Sequence, residues 1–170
     1  CENLEESFLR GFFQKAVCLK EVDLSGSNTT GEGFAHILEQ NQLEKLCLKY
    51  CENLEESFLR GFFPKAACLK EVDLSETNTT GEGLARILEE NQLEIILLWS
   101  CYNLWERCLI KFFQKASRLK EVDLSDTNTT GEGLTHIPEN NRLERVELRN
   151  CECRNIYLIE PLDFYELIIL

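Results

Sequence analysis

Residues 51–75 read CENLEESFLRGFFPKAACLKEVDLS. The same stretch stands at 1–25 as CENLEESFLRGFFQKAVCLKEVDLS and, more altered, at 101–125 as CYNLWERCLIKFFQKASRLKEVDLS. The chain is therefore built on a period of 50, and 38 positions of the first fifty are identical in the second. Each fifty divides into a 26-residue unit, opening at Leu43, Leu93 and Leu143, and a 24-residue unit, opening at Leu19, Leu69 and Leu119. A fixed internal period of this length is the signature of stacked supersecondary units.

Both units open on one pattern, L-x-x-[LVI]-x-L-x-x-[CST], as in LEKLCLKYC, LEIILLWSC and LERVELRNC against LKEVDLSGS, LKEVDLSET and LKEVDLSDT. The alternation predicts a short strand whose fourth and sixth residues point inward. A helix is expected to follow. Thr30, Thr80 and Thr130 suit its N-cap, Glu32 and its equivalents its first turn, and Asn41, Asn91 and Asn141 its end. In the longer unit Leu54, Phe58, Leu59, Phe62 and Phe63 fall on one helical face, and Pro64 should end or kink that helix. Pro138, in the place of Leu38 and Leu88, is expected inside a helix at a cost of up to ~3 kcal/mol.

A strand, a turn and a helix in about 25 residues cannot bury their own apolar face; stacked copies can. The expectation is an α/β solenoid: a curved right-handed coil with six strands in a parallel sheet on the concave face and helices on the convex face. The array should span 1–153. Residues 154–170 keep apolar side chains (Ile156, Leu158, Ile159, Leu162, Phe164 and Leu167 to Leu170) but lose the repeat, so they read as a C-terminal cap. The absence of Met and of a matching N-terminal cap suggests an excerpt of a longer chain.

The pattern resembles leucine-rich repeats. The 26-residue unit resembles the cysteine-containing subtype found in F-box proteins, carried by Leu43, Leu46, Leu48, Cys51, Leu54, Leu59 and Cys68. The shorter unit, LKEVDLSETNTTGEGLARILEENQ, has Thr77 in the cysteine place and is similar to ribonuclease-inhibitor-like repeats. The resemblance covers residues 1 to about 150. It implies protein–protein recognition and nothing more specific. No F-box-like segment is present.

Composition narrows the function classes. Of the 170 residues 44% are apolar and 28% charged, as in a soluble globular protein, and no apolar run is long enough for a membrane span. A net charge of −12 argues against nucleic acid, which needs a dense basic face. No acid, base and nucleophile fall together, and no cofactor or metal motif is present, so a non-enzymatic module is expected.

Nine cysteines invite other chemistry. Cys51, Cys101 and Cys151 share one column, and Cys18 and Cys68 another. Members of a column stand two strands apart, roughly 9–10 Å, beyond disulfide reach. They read as buried thiols, which favours a reducing, cytoplasmic location over secretion. Cys108 stands where Phe8 and Phe58 do and should fill a core position. The Asn-Thr-Thr sequons at Asn28, Asn78 and Asn128 are one copied feature, better explained as a turn than as glycosylation sites. His36 and His136 are expected on an exposed helix face.

Comparing the copies singles out one strip. Along the outward-facing strand positions the first column alternates Lys20, Glu44, Lys70, Glu94, Lys120 and Glu144, a ladder of opposite charges. The next columns repeat Glu, Asp and Ser in every shorter unit but change in every longer one. Of the twelve differences between the first two fifties, five fall within 45–50 against 95–100. The new residues include Tyr50, Ile95, Leu97 and Trp99, poor choices for plain solvent and good ones for a protein-binding hot spot. The candidate recognition strip is thus Lys45, Cys47, Lys49 and Tyr50, then Ile95, Leu97, Trp99 and Ser100, then Arg145, Glu147, Arg149 and Asn150, with Tyr102 and Trp105 at its rim. A protein partner bound by a monomeric or weakly self-associating module of a larger receptor or adaptor is the leading expectation. A structural spacer or self-assembling scaffold is the alternative.

Overall fold

The computed structural model describes residues 5–37, 41–152 and 166–168. Seven three-residue strands form a single sheet: β1 Glu21–Asp23, β2 Lys45–Cys47, β3 Glu71–Asp73, β4 Ile95–Leu97, β5 Glu121–Asp123, β6 Arg145–Glu147 and β7 Glu166–Ile168. They lie side by side in chain order, and every neighbouring pair is parallel. The pairing runs further than the strands themselves. The N–H of Leu48 reaches the Asp73 carbonyl at 2.8 Å and that of Tyr50 the Ser75 carbonyl at 3.0 Å, while at the other end Lys45 bonds Lys20 at 2.9 Å.

The period-two pattern holds. The middle residue of each of the first six strands is buried, as are Leu48, Leu74, Leu98, Leu124 and Leu148 beyond five of them. Against this inner face pack α1 Glu6–Phe13, α2 Glu56–Phe62 and α3 Glu106–Phe113, all from the longer units. Leu54, Phe58, Leu59, Phe62 and Phe63 are all buried, as their shared helical face requires. The helical layer of the core is largely aromatic, with Phe13 and Phe34 ring centroids 4.2 Å apart and Phe34 and Phe58 5.2 Å apart. Pro64 acts as expected: α2 ends at Phe62, one residue short of its copies.

The shorter units depart from expectation. In place of α-helices they carry 3-10 helices, Glu32–His36, Leu84–Arg86 and Glu132–His136. Thr30 does accept a bond from the Glu32 N–H, at 3.3 Å, but the residues leading into the turn are held mainly by a carboxylate from the preceding longer unit. Glu56, in the first turn of α2, accepts the N–H of Thr80 at 2.7 Å, the N–H of Gly83 at 2.6 Å and the hydroxyl of Thr79 at 3.0 Å. Glu6 and Glu106 repeat the arrangement. Held this way, the segment needs no long helix to satisfy its donors.

Pro138 therefore lies beyond the 3-10 helix, which ends at His136, and removes no helical bond; its counterpart Leu88 is exposed. The Asn residues do not stop these helices either. Asn41 donates to the carbonyls of Phe13 and Ala16, Asn91 to that of Lys115 and Asn141 to that of Ala116, so they tie down the carboxyl ends of α-helices in neighbouring units. His136 sits half-buried at the end of its 3-10 helix; the side chain of His36 lies outside the described residues.

The cysteine columns divide. Cys51 and Cys101 are buried free thiols that point at the carbonyls of Leu24 and Leu74, at 3.2 and 3.1 Å. Cys18 and Cys68 are exposed, contrary to expectation, because the turn between helix and strand leaves them outside the packed face. Cys151 is not a free thiol but disulfide-bonded. Cys51 and Cys101 are both free, so the column itself remains uncrosslinked. Strand β7 falls within the segment expected to cap the array, so the sheet extends one strand past the six anticipated.

Candidate partner-binding face

The strip occupies the sheet face turned away from the helices. Strand register puts Glu21, Lys45, Glu71, Ile95, Glu121 and Arg145 in one row and Asp23, Cys47, Asp73, Leu97, Asp123 and Glu147 in the next, as the column comparison requires. Along β4 the side chains of Ile95, Leu97 and Trp99 form an apolar rib, each half-buried. On either side, one strand spacing (about 4.8 Å) away, stand Glu71 with Asp73 and Glu121 with Asp123.

Trp99 anchors the rib. Its indole N–H donates to Asp126 at 2.7 Å, and the Lys49 ammonium lies 5.2 Å from its ring and 4.9 Å from that of Tyr50. Tyr50 is 45% exposed, the most open of the strip's apolar residues. Lys45 pairs with Glu71 at 2.8 Å, which raises its pKa. The half-buried Cys47 thiol is pushed up mainly by burial. Around β6, Glu147 is buried between Arg145 at 2.6 Å and Arg149 at 3.3 Å, and Arg145 also reaches Glu121 at 3.2 Å. Asn150 is exposed and donates to Asp126 at 3.1 Å.

Two members are not open surface. Ser100 is buried, with its hydroxyl 3.3 Å from that of Tyr102, and Glu147 is buried in its arginine pair. Tyr102 is 65% exposed and Trp105 40%, the latter under the Arg107 guanidinium at 4.2 Å. Tyr50, Ser100 and Asn150 also share a left-handed backbone, φ 61°, 56° and 54°, in the turn that leaves each longer-unit strand. For a non-glycine residue that costs roughly 1 kcal/mol, so these side chains stand at a bend.

The constancy of Asp and Ser in the shorter units has a structural cause. Asp73 accepts the Ser75 N–H at 2.9 Å and Asp123 that of Ser125 at 2.8 Å, each closing an Asx turn, and Ser75 and Ser125 are buried. Ser75 and Ser125 are less open than the varied positions, whereas Ser25 and the constant Glu and Asp positions are at least as open as Ile95, Leu97 and Trp99. For Asp and Ser the Asx turn, which Asp23 and Ser25 share, gives a local reason for their sameness.

The charge ladder is present in the edge column. Glu44 sits between Lys20 at 2.8 Å and Lys70 at 2.7 Å, and Lys120 meets Glu94 at 2.7 Å. The hydrogen bonds from the two lysines hold the Glu44 carboxyl down at about 2.

Asp126 is the residue that comparison of the strands missed. It lies in the column Gly26, Glu76, Asp126, which varies as the strip does but belongs to the shorter units and to the turn. Neither protein-family models nor curated proteins yield a match to the chain.

Proposed function

We propose that the chain is a leucine-rich-repeat module of the cysteine-containing type, a curved solenoid whose concave sheet face recognises a protein partner, within a larger receptor or adaptor. The observation that carries this reading is the rib of Ile95, Leu97 and Trp99, half-exposed on the outer sheet face between two acidic strands. Lys49 and Asp126 hold Trp99 in one orientation, which lowers the ordering cost of a contact made there. The partner presents an apolar side chain to the rib and basic groups to Asp73 and Asp123. The module is not itself an enzyme. Six described cysteines are free, which supports a cytoplasmic location; the Cys151 disulfide and the exposed sequon residues Asn28, Asn78 and Asn128 favour secretion as the second place. No described helix is long and apolar enough to cross a membrane.

The test is a pull-down with the wild-type chain beside a Trp99→Ala, Leu97→Ala variant shown to be folded by circular dichroism. A specific protein retained by the first and lost by the second is expected. A structural spacer is the second reading, favoured by the internal hydrogen bond of Trp99 to Asp126. Identical recoveries from both chains would support it instead.

A further inference from the structure

On the helix side, between α2, the 3-10 helix Leu84–Arg86 and α3, lies an open groove of about 460 Å3. Four cations line it, Arg60, Arg86, Arg107 and Lys111, against one carboxylate, Glu82. Glu82 is engaged by Arg60 at 3.1 Å. Glu56 is also near the groove, but its carboxylate is turned to the N–H groups of Thr80 and Gly83. The side chains of Arg86 and Lys111 have no ion pair or hydrogen bond among the described residues. A local excess of positive charge in a chain of net charge −12 runs against the average of its surface.

The copies show how the groove arises. Arg86 stands where the first and third fifties have His36 and His136, Arg107 where Ser7 and Ser57 stand, and Lys111 where Gly11 and Gly61 stand. Three substitutions, two of them one turn apart on α3 and the third in the preceding shorter unit, thus bring cations to one place. Two more make room. At the preceding junction Phe58 packs on the Phe34 ring, with ring carbons so close to Gly31 that a Cβ there would lie 2.3 Å from one of them. At this junction Leu84 replaces Phe34 and Cys108 replaces Phe58, and the nearest atom to a Cβ on Gly81 is the Cys108 Cβ, at 3.3 Å. Smaller side chains below and cations above give a hollow with a charged mouth.

We propose that this groove is an anion site for a phosphate-bearing ligand. The planar forks of Arg86 and Arg107 suit phosphate oxygens, Lys111 adds a point charge, and the volume matches a small polyphosphate or one phosphorylated side chain. The groove lies on the helix side, away from the Trp99 rib, and meets the strip at its rim, where the Arg107 guanidinium stacks on Trp105 at 4.2 Å.

The test uses the chain's own alternatives. A triple variant, Arg86→His, Arg107→Ser and Lys111→Gly, places at each position a residue that another copy carries. Calorimetric titration at low salt with tripolyphosphate and, in parallel, with a phosphoserine peptide separates free from peptide-borne phosphate. Saturable binding of either probe by the wild type, at least tenfold weaker in the triple variant, is expected. A control lacking three other cations (Lys20→Ser, Lys70→Ser, Lys120→Ser) should bind as the wild type does. Failure of both probes to bind the wild type, or an equal loss in the control, would overturn the site.

Discussion

The carboxylate of Glu56 accepts the backbone N–H of Gly83 at 2.6 Å, across 27 residues of chain and from one repeat unit to the next. The same oxygen pair holds Thr79 and Thr80, so one side chain satisfies three donors of a segment too short to satisfy itself. Glu56→Ala should cost about 2–3 kcal/mol, since it strands part-buried backbone donors. Urea unfolding of the variant checks this. A loss below about 0.5 kcal/mol would mean that water replaces the carboxylate without penalty.

Two glycines only 22 positions apart should respond in opposite ways. A Cβ on Gly83 would lie 2.3 Å from the Leu59 Cβ and 2.7 Å from the Leu59 carbonyl carbon, where nothing flexible can yield. Gly83→Ala should destabilise the chain by more than about 2 kcal/mol. Gly61, in α2, has nothing within 4 Å, and Gly61→Ala should stabilise by about 0.5–1 kcal/mol through helix propensity. Thermal melts of the two variants should move to opposite sides of the wild type.

Acid should weaken the fold along a definite course. Glu44 is held at about 2 by Lys20 and Lys70. At Glu6 burial pushes upward, but the hydrogen bonds from Thr29, Gly33 and Thr30 together outweigh it and leave the group lowered. The Ser25 hydroxyl and N–H lower Asp23. A depressed folded value means that the unfolded chain binds more protons, so the contribution is complete above the unfolded carboxylate range and fades as pH falls through the folded values. Urea midpoints should be flat from pH 7 to about 5 and decline from there toward about 2, with the exposed Glu44 part reduced by salt. Glu6→Gln should start lower at pH 7 and decline less. A decline as steep as that of the wild type would remove Glu6 from the account.

Thiol reactivity should follow position in the repeat. Cys18 and Cys68 are exposed, whereas burial raises Cys51 and pushes Cys101 up to about 11. The thiolate is the reacting form, so iodoacetamide at pH 8 should modify Cys18 and Cys68 first and Cys101 only on unfolding. Peptide mass spectrometry resolves the order. Early modification of Cys101 would show that the turn beneath it opens in the native state.

The strands and their register were legible because each rests on a local alternation repeated six times; Leu46, Val72 and Ile96 could hardly point elsewhere. The lysine–glutamate ladder followed from that register alone. What escaped depends on contacts between units. Nothing near Glu56 in sequence announces that its donors lie at Thr80 and Gly83, so by sequence Thr80 reads as a helix cap and its segment as an α-helix. The same reading puts Pro138 inside a helix, whereas it lies beyond one. Residues 164–170, FYELIIL, carry apolar residues at the first, fourth and sixth places of the unit pattern, yet the lost helical part hid strand β7. Of the candidate strip, the half-buried apolar rib was readable from strand alternation. The burial of Ser100 and Glu147 was not, because a left-handed turn and an arginine pair placed them.

The Glu56 bond also bears on how such a chain can grow. The carboxylate belongs to a longer unit and the donors it satisfies belong to the shorter unit that follows. Duplicating either unit alone would yield a carboxylate without its loop or a loop without its carboxylate. Copying fifty residues carries both halves, whatever the breakpoint. The heritable module is therefore the pair, which explains why the sequence repeats at 50 while the strands recur about every 25, and it sets the increment by which the array can be lengthened or shortened without leaving donors stranded.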